Sequence, residues 1–426
     1  MSILLKNTNE VFLYNSNEID IDEYWNTEDY PSLKMHNIHA YPAKFPAFIA
    51  TKAINFAKMN DVSINCVADI FCGCGTVALE AKINNIDFWG CDINPVATLI
   101  AKVKSQTYNI NVLKRYYGFV INEFNNSTIN ESQYKEANGR LLYWFDKEHY
   151  IDLYKLIKVI ERIPNKKYMQ AFKCIFSSIL KSTSRWLAKS IKPQIDPNKV
   201  PIGVYRAFDI QFNRFIKAVE EWNEDSESNI KIEKMNFLTK RNPPNVSLII
   251  TSPPYVTSYE YADLHQLSSL WLGYTDNYQS LRKGTIGSIY NSEDYYFEII
   301  DLNSTGRNIV QQMREKQIQN ARIKSVARYY IDMQKTVSKC YTILESGGMA
   351  FFIIGDTEYK GVKIENSRHL AEALLNSGFN EVMISKRNIS KKLLTPYRDE
   401  VGRFTTDKNE RKVYHEEFII IGKKAK

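Results

Sequence analysis

Between Cys66 and Asp92 the chain reads as strand, glycine turn, helix and strand. That order fits one repeating unit of a parallel α/β sheet and little else. The run Cys66-Val67-Ala68-Asp69-Ile70-Phe71 is almost continuously apolar, as a strand covered on both faces requires. Cys72-Gly73-Cys74-Gly75-Thr76 follows as a tight turn, Val77 to Ile83 as a helix, and Asp87 to Cys91 as a second strand ending at Asp92. Gly73, Gly75 and Ala78 keep the G-x-G-x-x-G/A spacing, in which glycines let the backbone turn sharply and approach a ligand. An acidic residue at the end of the second strand is placed to accept hydrogen bonds from ribose hydroxyls. The unit therefore predicts a site for an adenosine-containing cofactor. Cys72 and Cys74 read as small side chains packed in the turn.

A second stretch ends another buried strand. Val246-Ser247-Leu248-Ile249-Ile250 runs into Thr251-Ser252-Pro253-Pro254-Tyr255, and ligands of open α/β sheets bind where strands end. Two prolines fix φ and supply no N–H, so the loop holds a hydroxyl, a main-chain carbonyl and a ring in one arrangement. Carbonyl and hydroxyl can accept from an exocyclic amine while Tyr255 stacks on a flat heterocycle. The pair Asn242-Pro243-Pro244-Asn245 has no aromatic after it and reads as a plain rigid turn.

Strand–helix alternation resumes at both ends of an interruption. Residues 104–228 carry helical periodicity, as at Tyr150, Leu153, Ile157 and Ile160, with Asp146 as an N-cap. Within 150–217 fourteen lysines and arginines face four acidic residues, a net of +10 where the whole chain is +8. Such concentration favours a polyanionic partner. Further elements are expected at Phe48 to Met59, Ile230 to Phe237, Met349 to Ile354, Ser367 to Ser377, Val382 to Ser385 and Glu417 to Ile421. Residues 1–34 read as polar and irregular, and 256–328 as long, basic and mixed. No apolar run approaches a membrane span, no signal peptide is evident, and the six cysteines lack metal-type pairing. A cytoplasmic protein with reduced thiols, no metal and no membrane partner is expected.

With these motifs together, the chain resembles the DNA amino-methyltransferases that use S-adenosylmethionine. Asp69 to Thr76 looks like the family's cofactor motif, Ser252 to Tyr255 like its catalytic motif, and His39-Ala40-Tyr41-Pro42-Ala43-Lys44-Phe45-Pro46 like its N-terminal cofactor segment. The resemblance implies an α/β fold with a Rossmann-like, seven-stranded, mostly parallel sheet, an antiparallel terminal strand pair and a helical insertion. It places the catalytic domain at 1–103 and 229–426 and target recognition at 104–228, while the long basic stretch 256–328 is the alternative or shared seat of recognition. It assigns catalysis to Ser252, Pro253, Pro254 and Tyr255. Cofactor binding falls to Tyr41, Pro42, Lys44, Phe45, Asp69, Phe71, Cys72, Gly73, Gly75, Thr76 and Asp92. The implied partners are double-stranded DNA and a cognate restriction or defence protein. Serine before Pro-Pro favours cytosine-N4 over adenine-N6 as the target. An RNA methyltransferase and a non-catalytic DNA-binding specificity protein are the competing readings.

Overall fold

The computed structural model describes residues 2–426 apart from 12–14, 17, 27–31, 43, 129–130, 191, 225, 257–260, 289, 291–298, 390–396, 399–404, 406, 408–410 and 413–415. Among the described residues the strands are, in chain order, β1 (Ile3–Leu5), β2 (Cys66–Asp69), β3 (Asp87–Asp92), β4 (Ile230–Lys234), β5 (Val246–Thr251) and β6 (Leu344–Ile354). They continue with β7 (Thr357–Tyr359), β8 (Val362–Ile364), β9 (Glu381–Asn388), β10 (Tyr397–Arg398), β11 (Arg411–Lys412) and β12 (Glu416–Lys423). One eight-stranded sheet has the order β1-β9-β12-β6-β5-β2-β3-β4, and β7–β8 and β10–β11 are small separate pairs. Strands β6, β5, β2, β3 and β4 are parallel, while β12 runs antiparallel between β6 and β9.

The expected mostly parallel sheet with a terminal antiparallel pair is thus present. Its eighth strand is an addition. Ile3–Leu5 pairs antiparallel with Ile384, Met383 and Val382 of β9, and Trp25 is fully buried. Part of the stretch 1–34, read as irregular, therefore adds an edge strand to the sheet and a side chain to its core.

Successive residues of the central strands enter opposite cores, as the period of two demands. Val67, Leu248 and Ile250 join the core made with helices Ala47–Met59 and Thr76–Ile83. Ala68 and Ile249 join the core under helices Ser304–Glu315, Asn320–Ile343 and Asn366–Asn376. Every residue of β5 is buried.

The interruption is helical: Ile110–Asn126, Glu131–Lys135, Gly139–Trp144, Lys147–Ile160, Lys166–Ile179 and Val204–Glu221. Tyr150, Leu153, Ile157 and Ile160 are all buried, and the Asp146 carboxylate accepts from His149 N at 2.9 Å. These helices share a third core with Val96, Leu99, Ile100 and Val103 of helix Pro95–Lys104, with Met35 and Ile38, and with Leu267, Trp271 and Leu272. Part of the stretch read as mixed beyond Tyr255 is therefore helix packed on the insert, and Arg307, Arg314, Arg322, Lys324 and Arg328, read as helical, lie on helices Ser304–Glu315 and Asn320–Ile343. Among the described residues, no helix is long and apolar enough to cross a membrane.

Candidate active site

The chain runs from β2 through β3 to β4 on one side of the sheet, then returns to place β5 on the other side of β2. This reversal is a topological switch point, and its carboxyl edge is where a ligand crevice opens. Asp69 ends β2, Asp92 ends β3 and Thr251 ends β5. Thr251 Oγ1 donates to Asp69 Oδ1 at 2.6 Å, so the glycine turn and the Pro-Pro loop leave the sheet side by side. Phe71 N also donates to Asp69 Oδ1, at 3.1 Å. Burial pushes the Asp69 carboxyl up to about 7, against these two donors.

The turn is organised around Asp92. Its Oδ2 accepts from Gly73 N and its Oδ1 from Asn94 N, both at 2.8 Å. A carboxylate offers roughly four lone-pair sites, so acceptor capacity remains. Asn94 Oδ1 caps helix Pro95–Lys104 by accepting from Val96 N at 3.0 Å and Ala97 N at 3.4 Å. That fixes the other end of its amide, and Nδ2 meets His265 Nδ1 at 2.8 Å. An amide NH2 can only donate, so His265 Nδ1 is the acceptor and the ring proton sits on Nε2. Nε2 is buried without a partner among the described residues. Burial, then the neighbouring His39, pushes the His265 imidazole down to about 3, so the ring is neutral. It stacks on Tyr41, with centroids 5.0 Å apart and planes 26° from parallel.

Tyr41 is the residue of the N-terminal segment that reaches the turn. A Cβ on Gly73 would lie 3.7 Å from its ring, ordinary contact. Burial, then Asp92, raises the Tyr41 phenol well above its ordinary value. Pro42 follows it, half-buried. Lys44 is turned elsewhere: its Nζ donates to Asn37 Oδ1 at 2.7 Å and His36 O at 3.1 Å. Phe45 packs against the core beside helix Ala47–Met59, and Phe71 against the opposite core. Cys72 is buried; its N–H donates to Cys91 O at 3.0 Å, and burial raises its thiol.

The two glycines divide their work. Both have positive φ, +50° at Gly73 and +75° at Gly75. A Cβ on Gly75 would sit 2.6 Å from Ala101 Cβ and 2.7 Å from Ala101 Cα. Gly75 therefore lets helix Thr76–Ile83 press against helix Pro95–Lys104, a packing role that ligand approach does not explain. Thr76, the first residue of its helix, is buried with Oγ1 unpartnered among the described residues.

In the Pro-Pro loop Ser252 Oγ donates to Ile353 O of β6 at 3.0 Å. Pro253 is buried, and Ser252, Pro254 and Tyr255 are half-buried. Tyr255 OH donates to Glu417 Oε1 at 2.8 Å, and burial, then Glu417, raises the phenol. His265, Asn94 and Glu417 were not foreseen from sequence. His265 has no motif, and Glu417 lies in an apolar strand where a charge reads as solvent-facing.

Residues 5–103 match the N6/N4 methyltransferase family model described as DNA methylase. The chain is 22% identical over 370 residues to the type II methyltransferase M.MvaI of Kocuria varians, covering 79% of this chain and 80% of the relative. It is also 22% identical over 351 residues to the type II methyltransferase M.BsoBI of Geobacillus stearothermophilus, covering 69% of each. These matches support an amino-methyltransferase of the N4/N6 type. A comparison with the rRNA methyltransferase aviRa of Streptomyces viridochromogenes gives 8% identity and a TM-score of 0.28, with 93% of this chain and 94% of that one covered. That score is too low to bear on fold or function.

The methyl donor of this methyltransferase is S-adenosylmethionine. The cleft fits it on three observations: spare acceptor capacity on Asp92, unpartnered Oγ1 of Thr76 and Nε2–H of His265, and an unclashed approach to the Gly73 backbone beside Tyr41. Buried polar groups rarely lack partners, and a polar ligand supplies them.

Proposed function

We propose that this methyltransferase modifies the exocyclic amine of a base flipped out of duplex DNA, with cytosine-N4 as the target. The observation that carries the reading is the bond from Ser252 to Ile353 O. A serine hydroxyl has one proton and two lone pairs. With its proton spent on a main-chain carbonyl, Ser252 Oγ faces a ligand as an acceptor. The Pro253 carbonyl is the second acceptor, since that carbonyl leads into another proline and the loop cannot flex away. An exocyclic amine is a weak nucleophile because its lone pair is conjugated with the ring. Two acceptors drawing on its two N–H groups favour a more tetrahedral nitrogen. Asp92 and Thr76 hold the cofactor's polar groups, and Tyr41 lines the cradle. Bound there, S-adenosylmethionine supplies a methyl group on an electrophilic sulfonium. Positioning then accounts for most of the rate.

The target base must leave the duplex to reach the loop, and Tyr255 is its stacking partner. Cytosine is favoured because, in the resembling family, serine before Pro-Pro usually accompanies it. The basic insert at 104–228, with the helices after Tyr255 that pack on it, is the recognition body. The two relatives named as type II methyltransferases support a cognate restriction or defence protein as partner.

The test is nucleoside mass spectrometry of duplex DNA incubated with the protein and cofactor, with N4-methylcytosine the expected product. N6-methyladenine alone would overturn the cytosine assignment, and methylated RNA with unmethylated DNA would overturn the substrate. Appearance of 5-methylcytosine would sink the mechanism, since it requires a nucleophilic thiol; burial raises the thiols of Cys66, Cys72, Cys91, Cys174 and Cys340.

A further inference from the structure

We propose that Glu417 and Arg387 are positioning residues for methyl transfer: they fix the Tyr255 ring in the attitude from which it stacks on the flipped base. The proposal rests on Ser252 to Tyr255 being the catalytic loop. Glu417 and Arg387 stand directly opposite each other on the antiparallel pair β12–β9. Glu417 Oε1 accepts from Tyr255 OH at 2.8 Å, while its Oε2 accepts from Arg387 Nη2 at 2.6 Å and Nε at 3.0 Å. Both are buried, Arg387 at 3% exposure and Glu417 at 8%. Arg387 also lies over the Phe48 ring, 5.4 Å from its centroid, and its Nη1 donates to Asn388 O at 3.3 Å.

The ring is held at a second point. A Cβ on Gly355 would come within 3.1 Å of Tyr255 Cε2 and 3.4 Å of its hydroxyl, so the ring edge lies flush on bare backbone. Gly355 directly follows the end of β6, two residues after the carbonyl that holds Ser252. Tilting the ring would break the bond to Glu417 and lift its edge from Gly355. A loose tyrosine would have to give up that rotational freedom when it stacks; a ring held at edge and hydroxyl has already done so. Buried ion pairs contribute little net stability against an apolar alternative. The effect of this one is therefore to be sought where it touches the reaction. The carboxylate needs its arginine, because an unpaired buried charge would shed its ionisation or leave the interior, and the phenol would lose its acceptor.

The experiment is a double-mutant cycle on the full chain, with Tyr255→Phe, Glu417→Gln and the double variant. Single-turnover transfer of labelled methyl groups to unmethylated duplex DNA is measured beside cofactor affinity and the KM for DNA. Each single variant is expected to slow transfer about tenfold, the scale of a small misplacement of reacting groups. KM and cofactor affinity stay unchanged, and the double variant is no slower than Tyr255→Phe alone, because Glu417→Gln weakens the same bond that Tyr255→Phe removes. Losses that multiply, or single variants at the wild-type rate, overturn the proposal. Should Glu417→Gln fail to fold, Tyr255→Phe decides alone, since it leaves the ion pair intact. Ser252→Ala separates the two levels of the argument: wild-type transfer by that variant removes the catalytic-loop reading itself. An inactive Ser252→Ala beside a fully active Tyr255→Phe removes only the positioning role.

Discussion

Replacing Gly75 by alanine should destabilise the protein far more than the same change at Gly73, two residues away in the same turn. The new methyl would lie 2.6 Å from Ala101 Cβ and 2.7 Å from Ala101 Cα, with φ at +75°. Holding a non-glycine residue in the left-handed region costs about 1–2 kcal/mol. Forcing an extra methyl into a packed contact costs about 1–3 kcal/mol more, so roughly 2–5 kcal/mol of stability should disappear in all. At Gly73 the nearest atom would be 3.7 Å away, so only the conformational cost applies, with φ at +50°. The methyl there would project into the cradle against Tyr41, and the effect should appear in cofactor affinity instead. Urea unfolding of the apo-protein and calorimetric titration with S-adenosylmethionine separate the two effects. Ala101→Gly should rescue Gly75→Ala only in part, because the Cα clash remains and glycine inside a helix costs about 1 kcal/mol. Wild-type stability in Gly75→Ala, or a larger destabilisation in Gly73→Ala, would refute the packing argument.

Alanine at the exposed Lys166 and Lys189 should flatten the salt dependence of DNA binding by up to ~0.9 log unit for each phosphate no longer neutralised; an unchanged slope would make them ordinary solvated side chains. Arg185 should behave differently, because its Nη2 donates to the carbonyls of Leu142 and Tyr143, so Arg185→Ala is expected to lower stability rather than the salt slope. Stability should fall on acidification from about pH 6.5, the ordinary histidine value. His39 is held down to about 4 and His265 and His369 to about 3, all by burial, so the unfolded chain binds protons that the folded chain refuses. The stability present above the unfolded pKa is lost as pH falls, on the order of 3 kcal/mol by about pH 4 for each, at ~1.4 kcal/mol per unit. Asp69 works in the opposite sense: burial raises its carboxyl to about 7, so its penalty shrinks below that pH. Urea midpoints from pH 7 to 4 test the balance, and His265→Gln should flatten the acid limb; a midpoint that rises with acidification would refute it.

The unit from β2 to β3 was legible almost to the residue, because continuous apolar strands and a glycine turn leave few alternatives. The place of the Pro-Pro loop at a strand end was legible for the same reason, through the wholly buried β5 before it. What escaped was non-local. β1 is three residues long, too short for any period to show, and its pairing partners stand near the other end of the chain. The work of Gly75 depends on Ala101, which lies beyond β3 in the following helix. Glu417 and Arg387 were not singled out, because the alternation of a strand does not say when two charges bury each other. Lys44 matched the N-terminal motif, yet its ammonium is satisfied by His36 and Asn37.

The insert begins on the side of the sheet away from the reaction. Helix Pro95–Lys104 starts beside Asp92 at the carboxyl edge and runs back across the sheet, so the chain enters the insert at the opposite edge. Helix Lys166–Ile179 makes the return. Near its start Tyr168 meets Tyr108, just past the end of helix Pro95–Lys104, with ring centroids 5.8 Å apart, and its hydroxyl accepts from Asn109 N at 3.2 Å. Near its end Ser177 Oγ lies 2.9 Å from His39 Nε2 and donates to Ser268 Oγ at 2.8 Å. Fourteen residues of helix span about 21 Å, enough to climb the sheet along the flank of helix Pro95–Lys104, on which it packs. The helix therefore ends against His39 and Ser268, which neighbour Tyr41 and His265 in sequence, on the edge where the glycine turn and the Pro-Pro loop open. A long insertion adds little closure entropy once it folds on itself. Its length is what brings the chain back from one edge of the sheet to the other, as the proposed recognition role of the insert requires.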